Sequence, residues 1–166
     1  MVEVHSMWRT ELWHPLIVHL PITALLLAAI AGLLQFILSK ANAKIALQMC
    51  MILLVIGVAG GWAAIYTGLL AYNIEVRKIC DPKVLQEHEL WAYVAIIIFS
   101  VALAIHILKK WLGKKFVIPL NIICGALYIL GAASLLYSGH LGATVVYQQG
   151  AGVHKPKPDC SDYIID

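Results

Sequence analysis

Residues 46–71 read ALQMCMILLVIGVAGGWAAIYTGLLA, a run with no charged side chain. At about 1.5 Å per residue, a helix of that length spans more than the roughly 30 Å of a bilayer's hydrocarbon layer. The run is continuous rather than alternating, so it does not fit the short alternating segments of a membrane barrel. Three other apolar runs, about 16–38, 91–108 and 117–138, are long enough or nearly so. The sequence therefore predicts an all-α integral membrane protein, a four-helix up-down bundle forming one domain over residues 1–166.

Composition agrees with this reading. The chain is 61% hydrophobic and only 13% charged, with a mean hydropathy of +0.85, against roughly 25% charge in an average soluble domain. The opening segment MVEVHSMWRTELWHP has acidic residues and no basic run, so it does not read as a cleaved signal peptide. The four cysteines include no CxxC pair, which argues against a zinc ribbon, a dithiol redox motif or a covalent haem-attachment sequence. No GxSxG elbow, HExxH pair or P-loop occurs, so hydrolase, zinc protease and nucleotidase chemistry has no motif to rest on. No carboxylate falls within a predicted span, which removes the usual ion site of a secondary transporter.

Charge predicts the orientation. The two short connections hold Lys40, Lys44, Lys109, Lys110, Lys114 and Lys115 and no acid, whereas every Asp and Glu lies in the N-terminal segment, the long polar stretch 72–90 or the tail. The positive-inside rule puts the lysine connections in the cytoplasm and both termini outside, in the inner membrane of a bacterial cell. Cys80 and Cys160 then share the outer compartment, where a bridge between them and two unpaired thiols are equally open. The expected partners are the lipid bilayer, a redox protein or a quinone, and a second copy of the chain for a homo-oligomer. Nucleic acid is not expected, because the lysines sit where topology alone puts them.

Small residues give the spans faces that can approach closely: Gly57, Gly61, Ala64 and Gly68 in the second, Ala92, Ala95 and Ala102 around Phe99 in the third, and Gly125 and Gly131 in the fourth. Such faces serve plain helix packing or clearance for a flat cofactor. Seven histidines are many for so apolar a chain. His14 precedes Pro15 at the membrane surface, His19 lies five residues deeper beside Pro21, His88 opens the third span, and His140 closes the fourth at the same end. Pro21 leaves the Ile17 carbonyl without its helical donor and so favours a bend there. Neutral imidazoles in one layer suit a haem iron or a transition-metal ion, with His19 and His88 the leading ligands and His14 or His140 behind them. The ordinary alternative is that these histidines cap helices or bond exposed carbonyls. His106 shares a helix face with His88, five turns away; this resembles the arrangement of membrane b-type cytochromes, where one helix supplies ligands to two stacked haems, but the spacing here is longer than theirs. Only Met49 and Met51 stand near its depth, so a lone core histidine is the leading reading there. His5 and His154 fall in soluble segments and read as surface residues.

HPLIVHLPITALL at residues 14–26 and GHLGATVVYQQGAGV at residues 139–153 resemble the opening and closing motifs of the small bacterial membrane proteins of domain-of-unknown-function family 2231. The resemblance covers nearly the whole chain. It marks His14, Pro15, His19 and Pro21 in the first motif and Gly142, Tyr147, Gly150 and Gly152 in the second, and the family tends to carry a histidine where His88 stands. Gln149 and Thr144 depart from the pattern, the first at a position often occupied by histidine. The family implies a fold and a site more than an activity. The expected function is a haem-binding b-type membrane cytochrome or electron-transfer membrane subunit, with haem b in the half of the bundle that holds these histidines. A membrane scaffold whose histidines bind a metal ion or a partner subunit is the alternative.

Overall fold

The computed structural model of the protein describes residues 8–153. It is helical, with no strand among the described residues. After a single turn at Thr10–Leu12, α1 covers Trp13–Ile17, α2 His19–Leu34, α3 Lys40–Glu75, α4 Pro82–Leu108 and α5 Val117–Tyr147. Pro21 has no N–H for the Ile17 carbonyl, and the helix is interrupted at Val18, between α1 and α2, then resumes with Ile22 N donating to Val18 O at 3.1 Å. The first span is thus Thr10–Leu34, and four helices are long and apolar enough to cross a membrane.

The helices overrun the apolar runs that announce them. The polar stretch 72–90 is mostly helix, because α3 continues to Glu75 and α4 begins at Pro82. Asp81 caps α4, its carboxylate accepting from Lys83 N at 3.0 Å, and Pro82 occupies the first helical position, where a missing N–H costs nothing. At 36 residues α3 is about 54 Å long, so its ends project past the hydrocarbon.

Successive helices are antiparallel neighbours, and α2 also packs on α5, which closes the ring into the expected up-down bundle. The end carrying His14 and His88 is called the histidine end below, and that carrying Lys40 and Lys110 the lysine end. The middle and the lysine half are solid. Leu25, Leu54, Phe99 and Tyr128 are each 2% exposed or less and fill the space between the helices, with Cys50 and Cys124 among them. Close approach at glycine allows this: a Cβ on Gly57 would come within 2.6 Å of the Leu25 side chain, and one on Gly131 within 2.9 Å of Phe99. His106 is buried in this core and hydrogen-bonded to the Tyr128 hydroxyl, which also accepts from Cys50 Sγ at 3.4 Å. Met49, one of its two candidate partners, lies half exposed on the outside of α3. His106 is thus a core histidine with a side-chain partner, and Phe99 and Tyr128 are fully buried members of the same core.

A second small cluster, Ile79, Leu85, Val145 and Ala151, closes the histidine end. The chain turns back over the bundle after α5 with Gly150 and Gly152 both at φ 70°, a region that side chains other than glycine rarely adopt. His5, His154 and Cys160 lie outside the described residues, and with Cys160 the question of its pairing with Cys80.

Candidate functional site: a cavity between two histidines

Between the solid core and the terminal cluster lies a cavity of about 520 Å³, within the roughly 300–1,000 Å³ usual for ligand sites. Small residues make the room: Gly61, Ala64 and Gly68 from α3, Ala92 and Ala95 from α4, and Gly139, Gly142 and Ala143 from α5 all line it. Glu11, Glu75 and Glu89 stand at its rim. Two of these carboxylates are already paired, Glu11 with Arg9 at 3.4 Å and Glu75 with Lys78 at 2.9 Å.

Two histidines from different helices meet in the cavity. The rings of His14, on α1, and His88, on α4, have centroids 6.0 Å apart and stand nearly perpendicular at 77°. His14 Nδ1 lies 2.9 Å from Ala64 O, and His88 Nδ1 lies 2.9 Å from Ser138 O. A carbonyl oxygen can only accept, so both Nδ1 atoms carry the proton. In the neutral ring each Nε2 is then left with a lone pair, and each ring is fixed by a backbone group of the neighbouring helix. This is how metal-ligating histidines are held in the correct tautomer. Each ring also rests over a glycine. A Cβ on Gly68 would approach His14 to 3.1 Å, and one on Gly142 would approach His88 to 3.0 Å.

The other histidines fall elsewhere. His19 is exposed, lines the margin of the cavity, and has no hydrogen-bond partner among the described residues. His140 is exposed and does not line the cavity, while His106 lies in the core on its far side. The structure therefore pairs His88 with His14 rather than with His19. The five-residue spacing already puts His14 and His19 on different faces, and the interruption at Val18 keeps them apart. Sequence reasoning missed the Ala64 and Ser138 carbonyls, since backbone acceptors carry no residue signature.

The C-terminal motif covers the cavity. Glu75 Oε2 accepts from Gly152 N at 2.9 Å, and Gln149 Oε1 accepts from Cys80 N at 3.2 Å and Asp81 N at 3.1 Å. Gln149 is thus a strap across the α3–α4 connection, a task for an amide oxygen rather than for a ligand.

These features define a class: a four-helix membrane protein with an apolar cavity at one end, closed by a glycine-rich strap and spanned by two oriented histidines. The chain belongs to the DUF2231 family, whose model, described as a predicted membrane protein, matches residues 12–155. No curated protein and no solved structure matches it.

Proposed function

We propose that the protein is a b-type membrane cytochrome in which His14 and His88 are the two axial ligands of one haem b. The observation that carries this reading is the His14–His88 pair itself, two imidazoles from separate helices with fixed Nδ1–H tautomers and centroids 6.0 Å apart in one apolar cavity. Two metal–nitrogen bonds of roughly 2.0–2.1 Å each would put the ring nitrogens about 4 Å apart, and ring centroids 6.0 Å apart are of the right order for that. The donor set favours haem over a bare ion. Among the described residues no group of three or more His, Cys, Asp or Glu is arranged to hold a metal. A transition-metal ion usually takes three or four protein donors, whereas a porphyrin supplies four nitrogens of its own and asks the protein for two. Haem would supply one-electron redox chemistry. The protein's part is to hold the ligands, keep water away beneath the Glu75–Gly152 and Gln149–Cys80 strap, and lower the local dielectric with apolar walls.

The six acid-free lysines of the two short connections support the lysine end as cytoplasmic and the cavity as facing outward in the inner membrane. In intact cells a membrane-impermeant maleimide should label the exposed Cys80 of a Cys160→Ser variant, and should not label a Lys110→Cys variant in which Cys80→Ser and Cys160→Ser remove both outer thiols. The reverse pattern overturns the orientation. Electron partners would approach from the lipid or from the outer face. A quinone is the natural lipid-borne candidate, with the exposed His19 at the margin of the cavity as a hydrogen-bond donor to it.

The test of the cytochrome reading is an optical spectrum of protein purified from haem-sufficient cells. A Soret band that shifts on dithionite reduction, with the sharp α and β bands of a six-coordinate low-spin iron, is expected at about one haem per chain. A featureless visible spectrum after haem reconstitution removes the reading.

A further inference from the structure

We infer that the chain consists of two copies of one helical hairpin offset by 74 residues, and that the His14–His88 site lies on the pseudo-twofold axis between them, presenting two equivalent imidazoles to its ligand. The inference deepens the haem reading by assigning the geometry of the site and two positioning residues, Gly68 and Gly142.

The strongest support is that the site's bonds repeat. His14 and His88 are 74 positions apart, and so are their acceptors Ala64 and Ser138 and their supporting glycines Gly68 and Gly142. In both hydrogen bonds the histidine precedes its acceptor by 50 residues. The core repeats in the same register. Gly57 packs against Leu25 in the first copy, and Gly131 against Phe99 in the second, each residue again displaced by 74 from its counterpart. Cys50 and Cys124, both fully buried, are a further pair with that displacement.

The helix boundaries follow. α2 ends at Leu34 and α4 at Leu108, while α3 begins at Lys40 and the turn leading into α5 begins at Lys114. Both copies start at the histidine end, so the axis relating them runs along the bundle, as for parallel repeats in membrane proteins. The packing obeys the same symmetry. Exchanging α2 with α4 and α3 with α5 turns the α2–α5 contact into the α4–α3 contact, and both occur. The strap is reciprocal as well: Glu75 at the end of the first copy binds the backbone that follows the second, and Gln149 at the end of the second binds the backbone that follows the first.

The departures explain the rest of the chain. His106 has Gly32 as its counterpart and His19 has Tyr93, so neither has a histidine mate across the axis. Of the seven histidines in the sequence, only His14 and His88 are related by the 74-residue displacement, so theirs is the layer that offers two equivalent imidazoles to a centre on the axis. Gly68 and Gly142 act through the histidines, because a methyl at either position would displace the ring that rests on it.

The experiment is ¹⁵N NMR of histidine-labelled, ligand-free protein in detergent, with the two histidines assigned from His14→Gln and His88→Gln. Both are expected in the Nδ1–H tautomer, opposite to the form free imidazole side chains prefer. Gly68→Ala should shift the ring nitrogens of His14 and leave those of His88, and Gly142→Ala should do the converse. A differing tautomer at either histidine, or a glycine variant that leaves its own histidine unmoved, overturns the inference. Haem reconstitution of the same samples separates this result from the cytochrome reading. Matching tautomers and reciprocal glycine responses without haem uptake sustain the symmetric site and remove haem as its ligand. Haem uptake with unlike tautomers sustains the cytochrome and removes the symmetry.

Discussion

Replacing either His14 or His88 with alanine should reduce haem content per folded protein by at least about tenfold, since even the loss of a group that merely orients a ligand typically costs about 10–100-fold in metal affinity. The helices should survive both changes. His14 Nδ1 bonds one backbone carbonyl of a neighbouring helix, and His88 Nδ1 bonds the Ser138 carbonyl with the Ser138 hydroxyl a longer 3.4 Å away; each such bond is worth about 0.5–1.5 kcal/mol, and removing the ring takes a polar group out of an apolar wall. His19→Ala should keep its haem, because His19 is exposed and unbonded at the margin of the cavity. His140→Ala should behave likewise. The measurement is the reduced-minus-oxidised spectrum normalised to protein that elutes as a folded species. Retention of haem in both the His14 and His88 variants, with loss in the His19 variant, would transfer the site to the cavity margin.

The fold was legible because lipid leaves the chain few choices. Four uncharged runs separated by lysines and polar stretches can only be helices, and two short connections force antiparallel neighbours. Where the helices stop was less legible, since hydropathy marks the hydrocarbon layer and not the helix. The residues from Tyr72 to Glu75 and from Pro82 to Leu90 are helical for a different reason: Asp81 and Pro82 start α4 outside the apolar run, and Ile79, Leu85, Val145 and Ala151 bury one another there.

The site was half legible. The sequence puts His14, His88 and His140 at one end of the bundle, but depth along the chain says nothing about which way a side chain faces. His19 drew attention because it lies inside an apolar run, yet it faces outward at the cavity margin, whereas His14, assigned to the surface, is turned inward over Gly68. The deciding partners are the Ala64 and Ser138 carbonyls, and any residue could have supplied them. One signal was available: the 74-residue displacement that relates His14 to His88 also relates Gly57 to Gly131, Gly68 to Gly142 and Cys50 to Cys124. That register singles out His14 and His88 from the seven histidines without any coordinates.

Gly32→Ala should be among the most damaging single-methyl changes in the chain, although alanine is the better helix former by about 1 kcal/mol. Gly32 faces Tyr128, and a Cβ there would lie 2.7 Å from the ring's Cδ2 and 2.9 Å from Cζ, well inside van der Waals contact. The ring cannot give way easily. Tyr128 is 0% exposed, packed in the cluster with Leu25, Leu54 and Phe99, and its hydroxyl is held by His106 and Cys50. Relief must come from parting α2 and α5, the contact that closes the ring of helices. Overpacking of this kind costs about 1–3 kcal/mol and occasionally more, and a ring held at both ends belongs in the upper part of that range. Gly139→Ala provides the control of opposite sign. It lies in α5, where a Cβ would meet no heavy atom within 4 Å, so only the helix-propensity gain remains. Thermal unfolding of the two variants in one detergent, followed by far-ultraviolet circular dichroism, should lower the midpoint for Gly32→Ala and leave it level or raised for Gly139→Ala. Equal midpoints would mean that α2 and α5 do not meet through Gly32 and Tyr128, and the closure of the bundle at its lysine half would have to be redrawn.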